Sequence, residues 1–159
     1  MRLYSLLLVM LCSISAMAQF DYEAALHSLN ELRDEGCNCG NQVMRPASEL
    51  NWDKKLASIA QDYADQLSAA NQNKQQHVFL SHVGTDGTTL EDRLMENDYE
   101  AKACVENIAY FRGNFDMVID HWLNNPQMCK NLLDRRMTMV GAAQKGDYWV
   151  VILAIPRKN

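Results

Sequence analysis

The chain has 159 residues, 48% hydrophobic and 22% charged, with a formal net charge of −5 at neutral pH. That length supports one domain with a sizeable core, burying roughly two-thirds of its unfolded surface. No basic stripe and no Lys/Arg cluster interleaved with aromatics occurs, which argues against nucleic acid and anionic membrane as partners.

The chain opens MRLYSLLLVMLCSISAMAQF, with Arg2, an apolar run from Leu6 to Leu11 and the small residues Ala16-Met17-Ala18. This fits a cleaved export signal obeying the Ala-x-Ala rule, so residues 1–18 read as a signal peptide cut after Ala18 and 19–159 as a single domain. The apolar run is too short for a bilayer, and nothing later approaches the roughly 18–20 consecutive apolar residues of a transmembrane helix. Cys12 is preceded by Val9-Met10-Leu11, which lacks the small residue expected before a lipidated cysteine. The mature chain therefore reads as secreted or periplasmic and soluble, and losing Arg2, the one charge in 1–18, takes the formal charge from −5 to −6.

Phe20 to Arg33 carries Phe20, Ala24, Leu26 and Leu29 on a helical stripe that Gly36 stops. GCNCGNQVMRPASEL follows as a loop, with Gly36, Gly40 and Pro46 as breakers. From Asp53, a plausible N-cap, Leu56, Ile59, Ala60, Tyr63, Ala64 and Leu67 recur at helical spacing to about Ala70, the best helix in the sequence. Asn71 to Gln76 is a polar loop or a frayed helix end. Thr88 to Asn97 is a short helix with Thr89 as cap and Asp92 in its first turn. Phe115 to Leu123 is another helical stripe, closed by Asn124-Asn125-Pro126. MVGAAQ and DYWVVILAI then flank Lys145-Gly146-Asp147, a glycine turn between apolar, β-branched runs. A central antiparallel hairpin covered by helices on both sides is the economical arrangement.

Removal of Cys12 with the leader leaves Cys37, Cys39, Cys104 and Cys129, an even number in an oxidising compartment, which favours structural disulfides. A Cys37–Cys39 bridge would close a very small strained ring, so each is expected to reach Cys104 or Cys129. Zinc competes poorly, because Cys-x-Cys is tighter than the usual ligand spacing and the other two cysteines are scattered.

Few polar residues suggest chemistry. His82 lies in FLSHVGTDG, where Gly84, Asp86 and Gly87 make an irregular backbone able to present an imidazole, and Glu106 lies in CVENIAY just before an apolar run. Converging, they could act as acid and base or hold a metal with one more ligand. On the residues alone the plainer reading prevails: a surface histidine, and a carboxylate accepting backbone hydrogen bonds. His27 and His77 have no partner pattern, and His121, before Trp122, could face either way.

The ordered set LNWDKKLASIAQDYADQL, FLSHVGTDGTTLEDRLMENDY, ENIAY, VIDHWLNNP, NLL, MVGAA and DYWVV resembles the CAP or SCP domain of cysteine-rich secretory proteins, antigen 5 and pathogenesis-related 1 proteins, in its bacterial branch. The resemblance runs from about Ala24 to Ala154, and includes Ser81-His82, Gly84, Asp86-Gly87, Arg93, Tyr99 and Glu106-Asn107-Ile108-Ala109. It implies an α+β fold, a three-layer α-β-α sandwich with a central, mainly antiparallel sheet, and a cleft formed by two histidines and two acidic residues.

His82 matches the first histidine, and Glu106 the carboxylate of the family's Gly-Glu-Asn motif, with Val105 in place of the glycine. Bacterial relatives read Trp-Leu-x-Ser-Pro-Gly-His and then Arg or Cys; here the run is Trp122 to Cys129, with Met128 at the second histidine and uncharged Asn125 where eukaryotic members place the second acid. A thioether is a weak ligand and transfers no proton at neutral pH, so the resemblance implies a degenerate cleft without the two-histidine metal site. It also implies pairing of Cys129 with Cys39, from the Cys39-Gly40 pair, which leaves Cys37 for Cys104.

A CAP fold does not select one activity. The favoured expectation is a non-enzymatic binding module whose cleft around His82, Glu106, Asn125 and Met128 takes a small molecule, lipid, peptide or envelope component, with no cofactor. A hydrolase activating water through His82 and Glu106, with zinc as its metal if any, is the alternative, and His121 is the nearest third polar group in sequence. A third reading is a secreted scaffold whose partner surface lies in loops such as Gln72 to Val78.

Overall fold

The structure is a computed structural model that describes residues 20–72 and 80–157. The expected signal peptide, His77 and nearly all of the loop after Gln72 lie outside the described residues. Helix α1 spans Tyr22–Glu35, strands β1 and β2 span Cys37–Cys39 and Gln42–Met44, β3 is Asn51–Trp52, and α2 runs Lys54–Asn71. Then come α3 (Leu90–Glu96), β4 (Ala101–Tyr110), α4 (Phe115–Leu123), α5 (Pro126–Leu132), β5 (Met139–Lys145) and β6 (Tyr148–Pro156).

The main sheet has the order β3-β5-β6-β4, with β3 parallel to β5 and the other neighbours antiparallel. Side chains alternate across a strand, and β6 is apolar on both faces because both are covered. Its Trp149, Val151 and Leu153 enter one core with Leu29, Val118, Trp122 and Leu132 of α1, α4 and α5. Its Tyr148, Val150, Ile152 and Ala154 enter a second core with Leu56, Ile59, Tyr63 and Leu67 of α2 and Leu90 and Leu94 of α3. The result is a three-layer α-β-α sandwich, in which each fully buried Leu, Ile or Val contributes roughly 1.5–3 kcal/mol.

Local chemistry sets the ends of the elements. Asp53 caps α2 by accepting from the backbone N–H groups of Lys55 and Leu56. The α2 backbone lies directly on β5, since a Cβ on Gly141 would fall 2.1 Å from Ala57 N and 2.3 Å from Leu56 C. Gly36 ends α1 at φ +67°, where its N–H still reaches Leu32 O. Arg33, fully buried, donates to the carbonyls of Ser48, Leu132, Asp134 and Met137, pinning α1 to the segments before β3 and β5.

Three features differ from the sequence expectation. The stretch after Gly36 is a small hairpin, with β1 and β2 antiparallel around Gly40 (φ +61°) and Asn41. Pro126 closes α4 and also opens α5, where Asn125 is the N-cap. Among the described residues the central sheet has four strands rather than one hairpin, because the run before and through Glu106-Asn107-Ile108-Ala109 pairs along the length of β6.

The cysteines divide differently as well. Cys39 and Cys129 are bonded, with Cα atoms 5.5 Å apart, while Cys37 and Cys104 are free and do not form the expected second bridge. The sheet separates them: Cys104 packs against the α2/α3 core, whereas Cys37 belongs to the cluster of Cys39, Cys129 and Leu133 beside α5.

Candidate functional site

The site begins with α3. Thr89 and Asp92 form a reciprocal capping box, which fixes the first turn and turns Arg93 inward, where it is buried. The preceding segment is tied by short local bonds: Gly84 N–H donates to Thr88 O, Gly87 N–H to Gly84 O, and Asp86 accepts from the N–H and hydroxyl of Thr88. Those Thr88 bonds hold the Asp86 carboxyl below its ordinary value. The Tyr63 hydroxyl of α2 donates to Ser81 O, placing His82 at the rim.

Glu106 on β4 meets these residues with both oxygens. Oε1 lies 2.9 Å from His82 Nδ1, and Oε2 accepts from Arg93 at 2.7 Å. The Glu106 side chain is 2% exposed against 57% for His82, so the carboxylate is internal and the imidazole faces out. Arg93 also donates to Thr88 O at 3.1 Å and His82 O at 3.4 Å, and its guanidinium carbon lies 3.6 Å from the Tyr63 ring centroid. Tyr63, Arg93, Glu106 and His82 thus form a chain from the second core to the surface.

The electrostatics follow from that order. The hydrogen bond that His82 donates to Glu106, and then the Glu106 charge, raise the His82 pKa against the opposing effects of burial and Arg93. Burial, and then the nearby Glu106 charge, push the Tyr63 hydroxyl up to about 12. Nδ1 is held by the carboxylate, so Nε2 is the His82 nitrogen left to face a ligand, as a donor when the ring is protonated.

Asn125 and Met128 sit across β4. Successive β4 residues face opposite sides, so Glu106 looks toward α2 and α3 while Asn107 looks toward α5. Asn107 donates to Met128 O at 3.0 Å and accepts from Asn131 at 2.9 Å. The Asn125 side chain caps α5 by accepting from the N–H groups of Gln127 and Met128, and Met128 is partly buried against the first core. Among the described residues no hydrogen bond joins either side chain to His82. The two halves meet at β4, an end strand of the sheet among the described residues, where Asn131 of α5 donates to the Glu106 backbone carbonyl at 3.5 Å.

The structure therefore brings His82 and Glu106 together and leaves Asn125 and Met128 as a separate flank. His121, the third polar candidate, packs its ring 5.1 Å from Phe111, and His27 lies 3.4 Å from Glu31 on the exposed face of α1. Arg93 and Tyr63 complete the cluster but escape sequence reasoning as site residues. Tyr63 reads as one more apolar position of α2, and the signal for Arg93 is its place four residues after the Thr89 cap. As a zinc site the cluster supplies one imidazole and a carboxylate already held by Arg93, which does not fit the metal. Among the described residues, the one group of three close enough to share an ion is Cys37, Cys39 and Cys129, two of them joined as a disulfide.

The sequence profile of the cysteine-rich secretory protein family, CAP, matches residues 26–152. A search of curated proteins finds no match. Among solved structures, an extracellular SCP-domain protein of Bacillus anthracis superposes with a TM-score of 0.66 at 20% identity, over 84% of this chain and 41% of that one. An outer surface protein of Borrelia burgdorferi gives 0.68 at 19% identity, over 86% of this chain and 92% of that one. A cysteine-rich secretory protein of Staphylococcus aureus gives 0.57 at 23% identity, over 83% of this chain and 38% of that one. The chain thus spans about two-fifths of the Bacillus and Staphylococcus proteins and nearly all of the Borrelia protein. At these identities the likeness is one of fold. Among the described residues no helix is long and apolar enough to cross a membrane.

Proposed function

The chain belongs to the cysteine-rich secretory protein (CAP) family, and from that premise we propose that it is an exported, non-enzymatic binding module with a degenerate cleft. The observation that carries this reading is the engagement of both Glu106 oxygens, one by Arg93 and one by His82. A carboxylate general base needs an oxygen free to take a proton, and a metal centre needs a second strong ligand. Here the carboxylate is a buried counter-ion, and the second imidazole position holds Met128, whose backbone carbonyl is tied to Asn107.

What remains is a recognition surface. It offers the outward nitrogen of a His82 ring biased toward its protonated form, with the Asn125 and Met128 flank of α5 beyond the β4 edge. That suits a ligand with an acceptor or anionic group beside an apolar part, such as a lipid, a peptide or an envelope component. Export rests on the leader pattern of residues 1–18 and accords with the extracellular or surface character of the similar proteins.

The test compares the purified protein with His82→Ala on ester and peptide substrates. Equal background rates are expected. A reproducible activity that His82→Ala abolishes would overturn the binding reading and favour a hydrolase, for which the 2.9 Å His82–Glu106 contact is the observation in hand.

A further inference from the structure

We propose that Cys37, Cys39 and Cys129 form a thiol–disulfide exchange centre, in which the Cys37 thiolate displaces Cys39 from Cys129. The three sulfurs lie within 4.8 Å of one another, and the free Cys37 Sγ is 3.5 Å from Cys129 Sγ, one end of the existing bridge. Residues two apart on a strand share a face. The short β1 strand therefore turns Cys37 and Cys39 alike toward α5, while Asn38 between them is exposed. Leu133, Leu32, Met44 and Leu123 enclose the sulfurs. Cys39 and Cys129 are buried, but Cys37 is only partly so, which makes it the member that solvent base reaches.

The step is an isomerisation with no net oxidation. Cys37 loses its proton to solvent, and its sulfur forms a bond to Cys129 Sγ. The Cys39–Cys129 bond breaks, its electron pair leaves with Cys39, and Cys39 takes up a proton. The product carries a Cys37–Cys129 bridge and a free Cys39 thiol, so the tether between the hairpin and α5 moves two residues along β1. Burial raises the Cys37 pKa, which makes exchange slow at neutral pH and faster in base. Cys104 takes no part, since it lies on the other side of the sheet.

The experiment uses the oxidised mature chain, incubated between about pH 7 and about pH 9, quenched in acid, alkylated and digested with trypsin. Cys37 and Cys39 share the peptide 34–54, and fragmentation between them assigns the label. The expected result is label appearing on Cys39 together with a Cys37–Cys129 linked peptide. The rate should rise about tenfold per pH unit below the thiol pKa, be independent of protein concentration, and vanish in Cys37→Ser. In Cys39→Ser the bridge should re-form as Cys37–Cys129, leaving Cys104 alone to react. Label confined to Cys37 and Cys104 would overturn the proposal, as would Cys39 label that scales with protein concentration or persists in Cys37→Ser. So would a folded Cys39→Ser protein with Cys37 and Cys129 both free.

Discussion

Replacing Glu106 by Gln tests the site at its centre. The substitution keeps the shape but removes the buried negative charge that Arg93 and His82 share. Breaking a buried ion pair from one side costs about 3–5 kcal/mol, because the surviving charge stays desolvated without its partner. The amide oxygen can still accept one bond from Arg93, so the lower end, about 3 kcal/mol, is expected, equivalent to a fall in Tm of roughly 10 °C for a chain of this size. The second readout is the His82 ring. Its raised pKa comes from the Glu106 hydrogen bond and charge, and the two opposing effects, burial and Arg93, remain after the change. The pKa should therefore cross from above to below the ordinary 6.5. Urea denaturation gives the first quantity, and NMR titration of the His82 ring gives the second. A stability loss below about 1 kcal/mol, in the range of an exposed pair, or a His82 pKa still above the ordinary value, would refute the account of Glu106 as the charge that organises the site.

Three other outcomes follow from the same geometry. Because the folded-state pKa of His82 is raised, its contribution to stability is fully present below pH 6.5 and is lost as pH climbs through the folded value. Denaturation of the parent and His82→Ala should accordingly converge above that value and separate in acid; a gap that widens with rising pH would contradict the sign. Gly141→Ala would push a methyl group into the α2 backbone, which cannot yield as a side-chain tip can, and about 3 kcal/mol or more should be lost, measured by urea midpoint; an unchanged midpoint would mean α2 does not sit on β5 as described. Thiol titration of the unfolded, unreduced mature chain should find two free thiols, Cys37 and Cys104, whereas none would mean that the second bridge forms.

Much of the fold was legible in residue periodicity. The α2 stripe from Leu56 to Leu67 and its Asp53 cap stand where their spacing places them, as do the Thr89 cap and the Gly146 turn between β5 and β6. Harder to read were elements stabilised by tertiary contacts. β1 and β2 are made of Cys, Asn, Gln, Val and Met, mostly weak strand formers, and the hairpin is fixed by the bridge to α5 rather than by propensity. Pro126 signals both the end of one helix and the first position of the next, and only the Asn125 cap resolves the ambiguity. In the site, the chain order of His82 and Glu106 hid Arg93 between them, since a buried cation on a short helix looks in sequence like any charged helix residue. The Cys39–Cys129 bridge stands as expected, but the Cys37–Cys104 pairing failed for a similar reason. Sequence separation does not reveal that the sheet stands between Cys37 and Cys104.

The most direct test of the central claim, a CAP cleft that binds without a two-histidine metal site, is calorimetric titration of zinc into the mature, oxidised protein alongside Met128→His and His82→Ala. The account predicts no binding in the parent or in His82→Ala, and none in Met128→His, because position 128 stands on the α5 flank apart from His82 and Arg93 holds Glu106. Tight binding in the parent that His82→Ala abolishes would contradict it, by showing that another residue of this chain completes a metal centre around His82.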